Sequence, residues 1–81
     1  MLTYGITEAD WDSMFERQGR VCAICRTSDP GSGAGGEWNT DHDHKTGRVR
    51  GILCWVCNVG IGKFEDDPER LRRAALYLEE T

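Results

Sequence analysis

The sequence predicts a small α+β domain, a β-hairpin flanked by helices and closed by cysteines rather than by a large apolar core. Three observations predict it. The chain has 81 residues, too few to bury much apolar surface without a metal, disulfides or a partner. Its four cysteines fall into two C-x-x-C pairs, Cys22/Cys25 and Cys54/Cys57. Between the pairs lie two short extended stretches, and outside them two segments with helical apolar spacing. The whole chain reads as one domain, 1–81, divided into an N-terminal helical part (1–20), a cysteine-stapled core (21–64) and a C-terminal helix (65–81).

Thr7 is a good N-cap, and Asp10 three residues on completes a near capping box. Ile6 and Trp11 are placed as a hydrophobic staple across it. Trp11, Met14 and Phe15 share a face, and Gly19 is a stop, so the first helix spans 8–18. Residues 21–25 carry the first cysteine pair. The Gly-, Ser- and Pro-rich stretch 28–36 reads as a loop. Residues 38–41 read as a strand, 45–47 as a turn, and 49–53, rich in branched residues, as a second strand pairing with the first. A short helix over 57–64 follows, weakened by Gly60 and Gly62. Asp67-Pro68 opens the last helix, with Leu71, Ala74, Ala75 and Leu78 as its apolar stripe. Trp11, Trp38, Phe15, Phe64, Tyr77 and the leucines are expected in the core.

Each C-x-x-C turn brings two thiolates to about 4 Å, and two such turns close a tetrahedral Cys₄ shell. Thiolate softness favours zinc, and a closed shell makes that zinc structural. Disulfides and a redox C-x-x-C are the competing readings. No secretory pattern opens the chain and no apolar run nears the roughly 18 residues of a membrane helix, so the expectation is a cytoplasmic protein without a membrane partner.

The net charge of −4 opposes a nucleic-acid partner, but its distribution does not. Between His44 and Lys63 stand Lys45, Arg48, Arg50 and Lys63 and no acid; the acids gather toward the termini. Both histidines lie in one segment, Asp41-His42-Asp43-His44. In an extended chain the aspartates face one way and the histidines the other. A carboxylate suits a hard divalent cation, and an imidazole suits proton abstraction from water. With positive side chains nearby, these are the parts phosphodiester hydrolysis needs. A solvent-exposed polar turn, or a third metal knuckle, is the competing reading.

The order C-A-I-C, then D-H-D-H, then G-R-V-R-G-I-L-C-W-V-C-N resembles the phage recombination endonuclease VII family, within the wider HNH, or ββα-metal (His-Me finger), nucleases. The resemblance covers residues 22–62, and the preceding helix also fits. It implies a ββα-metal core and a divalent-metal-dependent endonuclease that hydrolyses DNA phosphodiesters to 5′-phosphate and 3′-hydroxyl ends. By position it implies His42 as general base, Asp41 and Asn58 as ligands of a catalytic Mg²⁺ or Mn²⁺, and His44 at the scissile phosphate. Cys22, Cys25, Cys54 and Cys57 would hold the structural Zn²⁺. Arg50, with Arg48, Lys45 and Lys63, would contact DNA phosphates.

Family members often carry an acid shortly after the Asn; here Val59, Gly60 and Ile61 fill that stretch. Junction-resolving members carry a long helical C-terminal extension, so nicking or general cutting is implied more directly than junction resolution. No helix looks built to read a major groove, so little sequence specificity is expected. The family points to a phage-encoded protein in the bacterial host cytoplasm; a monomer or weak dimer is the expectation for this chain. The rival functions are a non-catalytic zinc-ribbon nucleic-acid-binding module and an accessory subunit of a phage DNA-packaging or recombination complex. Asp41, His42 and Asn58 together speak against the first rival, since a binding module has no use for a base beside hard-metal ligands.

Overall fold

A computed structural model describes residues 5–31 and 36–81. The elements run α1 (Glu8–Arg17), β1 (Asn39–His42), β2 (Val49–Leu53), α2 (Trp55–Lys63) and α3 (Pro68–Glu80). The architecture is therefore a small α+β one, with β1 and β2 paired antiparallel and α2 starting almost directly after β2. Residues 32–35 of the expected loop lie outside the described residues.

Local chemistry sets the ends of α1. Thr7 Oγ1 accepts the Asp10 amide at 3.1 Å, and Asp10 Oδ2 accepts the Thr7 amide at 3.0 Å, the reciprocal capping box. These Thr7 bonds, the backbone one first, hold the Asp10 carboxyl below its ordinary range. At the other end Gly19 takes a left-handed φ of +78°. Its N–H reaches Glu16 O and that of Arg20 reaches Phe15 O, both at 2.9 Å, a Schellman stop that glycine accommodates without a Cβ clash.

The core is narrow. Phe15, Cys22, Val49, Ile52, Leu53 and Cys54 are the buried apolar residues, and two of the six are cysteines. Phe15 lies between Trp11 and Trp38, ring centroids 5.2 and 4.9 Å away, spacing suited to tilted aromatic packing. Trp11 Nε1 donates to Thr40 Oγ1 at 2.9 Å, which ties α1 to β1.

A residue without an obvious sequence signal joins α1 to the hairpin. Gln18 Nε2 donates to Val21 O and Ile52 O, and its Oε1 accepts the Ile52 amide, each at 2.9 Å. The side chain thus pairs with the free edge of β2 as a strand would. The opposing position is Gly51, where a Cβ would stand 3.3 Å from Gln18 Oε1. We expect Gln18→Ala to cost about 2 kcal/mol, because the Ile52 amide loses its acceptor in a part-buried setting. Urea unfolding of the metal-loaded protein checks this; an unchanged midpoint would remove Gln18 from the stabilising contacts.

Three features differ from the sequence expectation. β1 is shifted one residue, to Asn39–His42. α2 begins two residues earlier than expected, because Cys54 is its N-cap: Cys54 Sγ accepts the Cys57 amide at 3.4 Å. The helical spacing read from Cys57 onward could not reveal a cysteine acting as a cap. The third difference is α3. Asp67 Oδ1 caps it through the Glu69 and Arg70 amides at 3.0 and 3.4 Å, as its Asp-Pro start predicted. Yet none of its residues is buried, and Tyr77 and Leu78 are 68% and 70% exposed. The expectation that they belong to the core is corrected. Leu71 and Ala74, in the first part of its stripe, are half-buried, while Ala75 and Leu78 are exposed.

Candidate functional site

The four cysteines meet at one point. Cys22 and Cys25 come from the turn after α1, Cys54 from the end of β2 and Cys57 from the first turn of α2. Their sulfurs all lie within 4.8 Å of one another, and Cys25 Sγ and Cys54 Sγ are 3.7 Å apart. That is too long for a disulfide, whose S–S bond is about 2.05 Å, and all four are free thiols. It matches the edge of roughly 3.8 Å expected of a tetrahedron built on Zn–S bonds of about 2.3 Å. The cluster can therefore hold a metal ion, and its donor chemistry suits zinc. Burial pushes the thiols of Cys57 and Cys54 up. Burial acts on Cys22 in the same sense, but amide donors from Cys54, Cys25 and Ile24 outweigh it and lower Cys22 to about 6.

A polar cleft of about 500 Å³ is lined by Asn39, Asp41, His42, His44, Asn58 and Asp66 among others. A bulge shapes it. Asp41 pairs with Gly51 and His42 with Val49, so Arg50 is the extra residue on β2. Such a residue bends its strand and re-aims side chains. The simple alternation expected of residues 41–44 is accordingly broken. Asp41, His42 and His44 all line the cleft, and the two imidazole centroids are 4.7 Å apart. Asp43 turns away into the hairpin turn instead, where its Oδ1 accepts the Lys45 amide at 2.7 Å and that of Thr46 at 3.2 Å. Those two amides, Lys45 first, hold its carboxyl below the ordinary range.

Asp41 is buried, at 9% exposure, and takes a bidentate grip from Arg50. Arg50 Nε is 2.8 Å from Asp41 Oδ2 and Nη2 is 3.0 Å from Oδ1, while Nη2 also reaches Asp66 Oδ2 at 3.1 Å. The hydrogen bonds to Asp41 first, and then those to Asp66, push the Arg50 pKa above its ordinary value against its desolvation. Asn58, in the first turns of α2, donates Nδ2 to Asn39 Oδ1 at 3.5 Å, so its amide oxygen is the atom left to act as a ligand. Asn39 Nδ2 is buried without an acceptor among the described residues. A buried orphan amide beside Asn58 marks a cleft suited to a polar occupant. The carboxylate of Asp41 and the amide oxygen of Asn58 are hard donors that fit a divalent cation.

The fold thus gathers Asp41, His42, His44 and Asn58 at one cleft and the four cysteines at a separate point. Lys45 and Arg48 stand exposed in the hairpin turn and Lys63 is exposed in the last turn of α2. Arg50, expected at the phosphates, is engaged by two carboxylates. Asn39 and Asp66 line the cleft but are not among the site residues expected from the sequence. Asn39 is two residues before Asp41, and strand periodicity places both on one face of β1, a signal that was available. Asp66 arrives through the tight turn after α2, and in the sequence nothing sets it apart from the other acids near that terminus.

Fold and site together define a small α+β domain with a four-cysteine cluster beside a carboxylate- and imidazole-lined cleft. The chain belongs to the recombination endonuclease VII family, which it matches over residues 1–80. Among its relatives are two proteins named Gene 59 protein. That of Mycobacterium phage D29 is 44% identical over 79 residues, covering 96% of this chain and 46% of the relative. That of Mycobacterium phage L5 is 42% identical over 79 residues, with the same coverage. The chain spans about half the length of these curated relatives. No solved structure gives a significant match.

Proposed function

We propose that residues 1–81 form a single HNH endonuclease domain whose β1–β2–α2 unit is a ββα-metal core, and that it cuts DNA phosphodiester bonds. The observation that carries the reading is the convergence of Asp41, His42, His44 and Asn58 on one cleft, in a chain of the endonuclease VII family. The sulfur cluster would hold a structural Zn²⁺. Its closed shell leaves the hydrolytic cation, Mg²⁺ or Mn²⁺, to Asp41 and Asn58.

In this reading His42 removes a proton from water as its oxygen attacks phosphorus in line with the departing 3′ oxygen. The new P–O bond forms as the P–O3′ bond breaks, and the 3′ oxygen takes up a proton, leaving a 5′-phosphate and a 3′-hydroxyl. His44 steadies the phosphate from the same wall of the cleft. The divalent cation, when bound, supplies Lewis-acid stabilisation of the charge that develops on the phosphate. Asn58 is neutral, so it ligates without cancelling further cation charge. Lys45, Arg48 and Lys63 offer exposed cations for backbone phosphates, and Arg50 can add to them where its carboxylates release it. Contacts of that kind position a duplex without reading sequence. With phage relatives, the natural setting would be the cytoplasm of an infected bacterium.

The test is a supercoiled-plasmid nicking assay on the zinc-loaded protein, with Mg²⁺ or Mn²⁺ and with excess EDTA. The expected result is nicking by the zinc-loaded protein that requires added Mg²⁺ or Mn²⁺ and is absent without either, as well as in EDTA. Binding of DNA with no nicking under any divalent cation would favour a zinc-ribbon binding module instead.

A further inference from the structure

We infer that Asp66 is a positioning residue of this cleft, which acts through Arg50 to keep Asp41 available to a divalent cation. The inference rests on the nuclease reading above and deepens its metal site. Asp66 is supplied from the turn between α2 and α3, and its side chain is only 20% exposed. The turn holds it firmly. Glu65 and Asp66 both take left-handed conformations, φ 57° and 56°, and the Asp66 amide is bonded to Ile61 O at 2.9 Å. Consecutive non-glycine residues persist there only when their surroundings over-determine them.

What Asp66 does follows from its partners. Arg50 Nη2 is shared between Asp41 Oδ1 at 3.0 Å and Asp66 Oδ2 at 3.1 Å, and His44 Nε2 lies 3.7 Å from the same Asp66 oxygen. With one carboxylate alone, the guanidinium would neutralise Asp41, and a divalent cation would meet a pair with no net charge. With two carboxylates the cluster keeps one uncompensated negative charge. Arg50 also gains a second acceptor that can retain it when Asp41 turns its oxygens to a cation. Asp66 therefore needs no contact with the metal: it sets the charge balance and anchors the guanidinium.

The experiment compares wild type, Asp66→Asn and Asp66→Glu as zinc-loaded full chains, reading Mn²⁺ affinity by calorimetry alongside plasmid nicking, with near-ultraviolet circular dichroism as the check on folding. Asp66→Asn is expected to bind Mn²⁺ about tenfold more weakly, the effect of removing one nearby charge, and to recover much of its nicking rate at high Mn²⁺. Asp66→Glu keeps the charge on a longer arm. It should bind Mn²⁺ nearly as wild type does while nicking more slowly, and it carries the test if the Asn variant fails to fold. A folded Asp66→Asn with wild-type Mn²⁺ affinity would overturn the inference and leave the nuclease reading intact, as would a folded Asp66→Glu whose Mn²⁺ affinity collapses. Wild type that neither binds Mn²⁺ nor nicks would overturn both.

Discussion

Cys54→Ser is expected to unfold the domain rather than loosen one corner of it. Cys54 has three tasks at once. It is 3% exposed and packs with Cys22 and Leu53 in a cluster flanked by Trp38, Cys57 and Ile61. Its Sγ caps α2 through the Cys57 amide. It also stands 3.7 Å from Cys25 Sγ in the only group of three or more metal-ligating side chains found among the described residues. A serine hydroxyl could still cap the helix, but it is a poor ligand for a soft tetrahedral site. Zinc binding to such sites is worth roughly 10–16 kcal/mol, comparable with the whole stability of an ordinary domain, about 5–15 kcal/mol. With so few residues buried, the apolar core cannot replace that contribution. Far-ultraviolet circular dichroism should lose its helical signal, the cooperative melt should vanish, and a strong chelator should do the same to wild type. An unchanged spectrum and melt in Cys54→Ser would contradict the staple.

Much of this was legible in the sequence, for reasons that can be named. The cysteine spacing identified a shared cluster because a C-x-x-C turn can bring its two thiols close together with little other freedom. Thr7 with Asp10, and Asp67 with Pro68, marked helix starts because their side chains satisfy backbone donors that are local in sequence. β2 was placed correctly because branched residues favour an extended chain bounded by turns. What could not be read depended on partners remote in sequence. Gln18 mimics a strand only because the chain returns to it at Ile52. The bulge at Arg50 follows from how β1 and β2 align, and it changes which of residues 41–44 share a wall. Asp66 joins the cleft through two left-handed residues that no periodicity announces. α3 shows the converse: its amphipathic pattern runs the length of the helix, yet toward its C-terminal end Leu76, Tyr77 and Leu78 are all exposed.

His42→Ala should remove nearly all cutting while leaving zinc content and melting temperature close to wild type. The separation is possible because the side chain and the backbone of this residue have different tasks. His42 is the last residue of β1 and its main chain pairs with Val49, which alanine preserves. Its side chain is half-buried on the cleft wall beside His44, outside the apolar core. The structural cost should therefore be small. The catalytic cost should be large, because a positioned general base contributes typically 10²–10⁴-fold, and a rate reduced by at least about 10²-fold is expected. Mn²⁺ affinity should change little, since Asp41 and Asn58 remain, so the variant should lose the reaction and keep the ion. His44→Ala provides the contrast: if His44 only steadies the phosphate, that variant keeps more activity than His42→Ala. Equal nicking rates for His42→Ala and wild type would remove the base from this assignment. A loss confined to His44→Ala would move it to the neighbouring ring, 4.7 Å away in the same cleft.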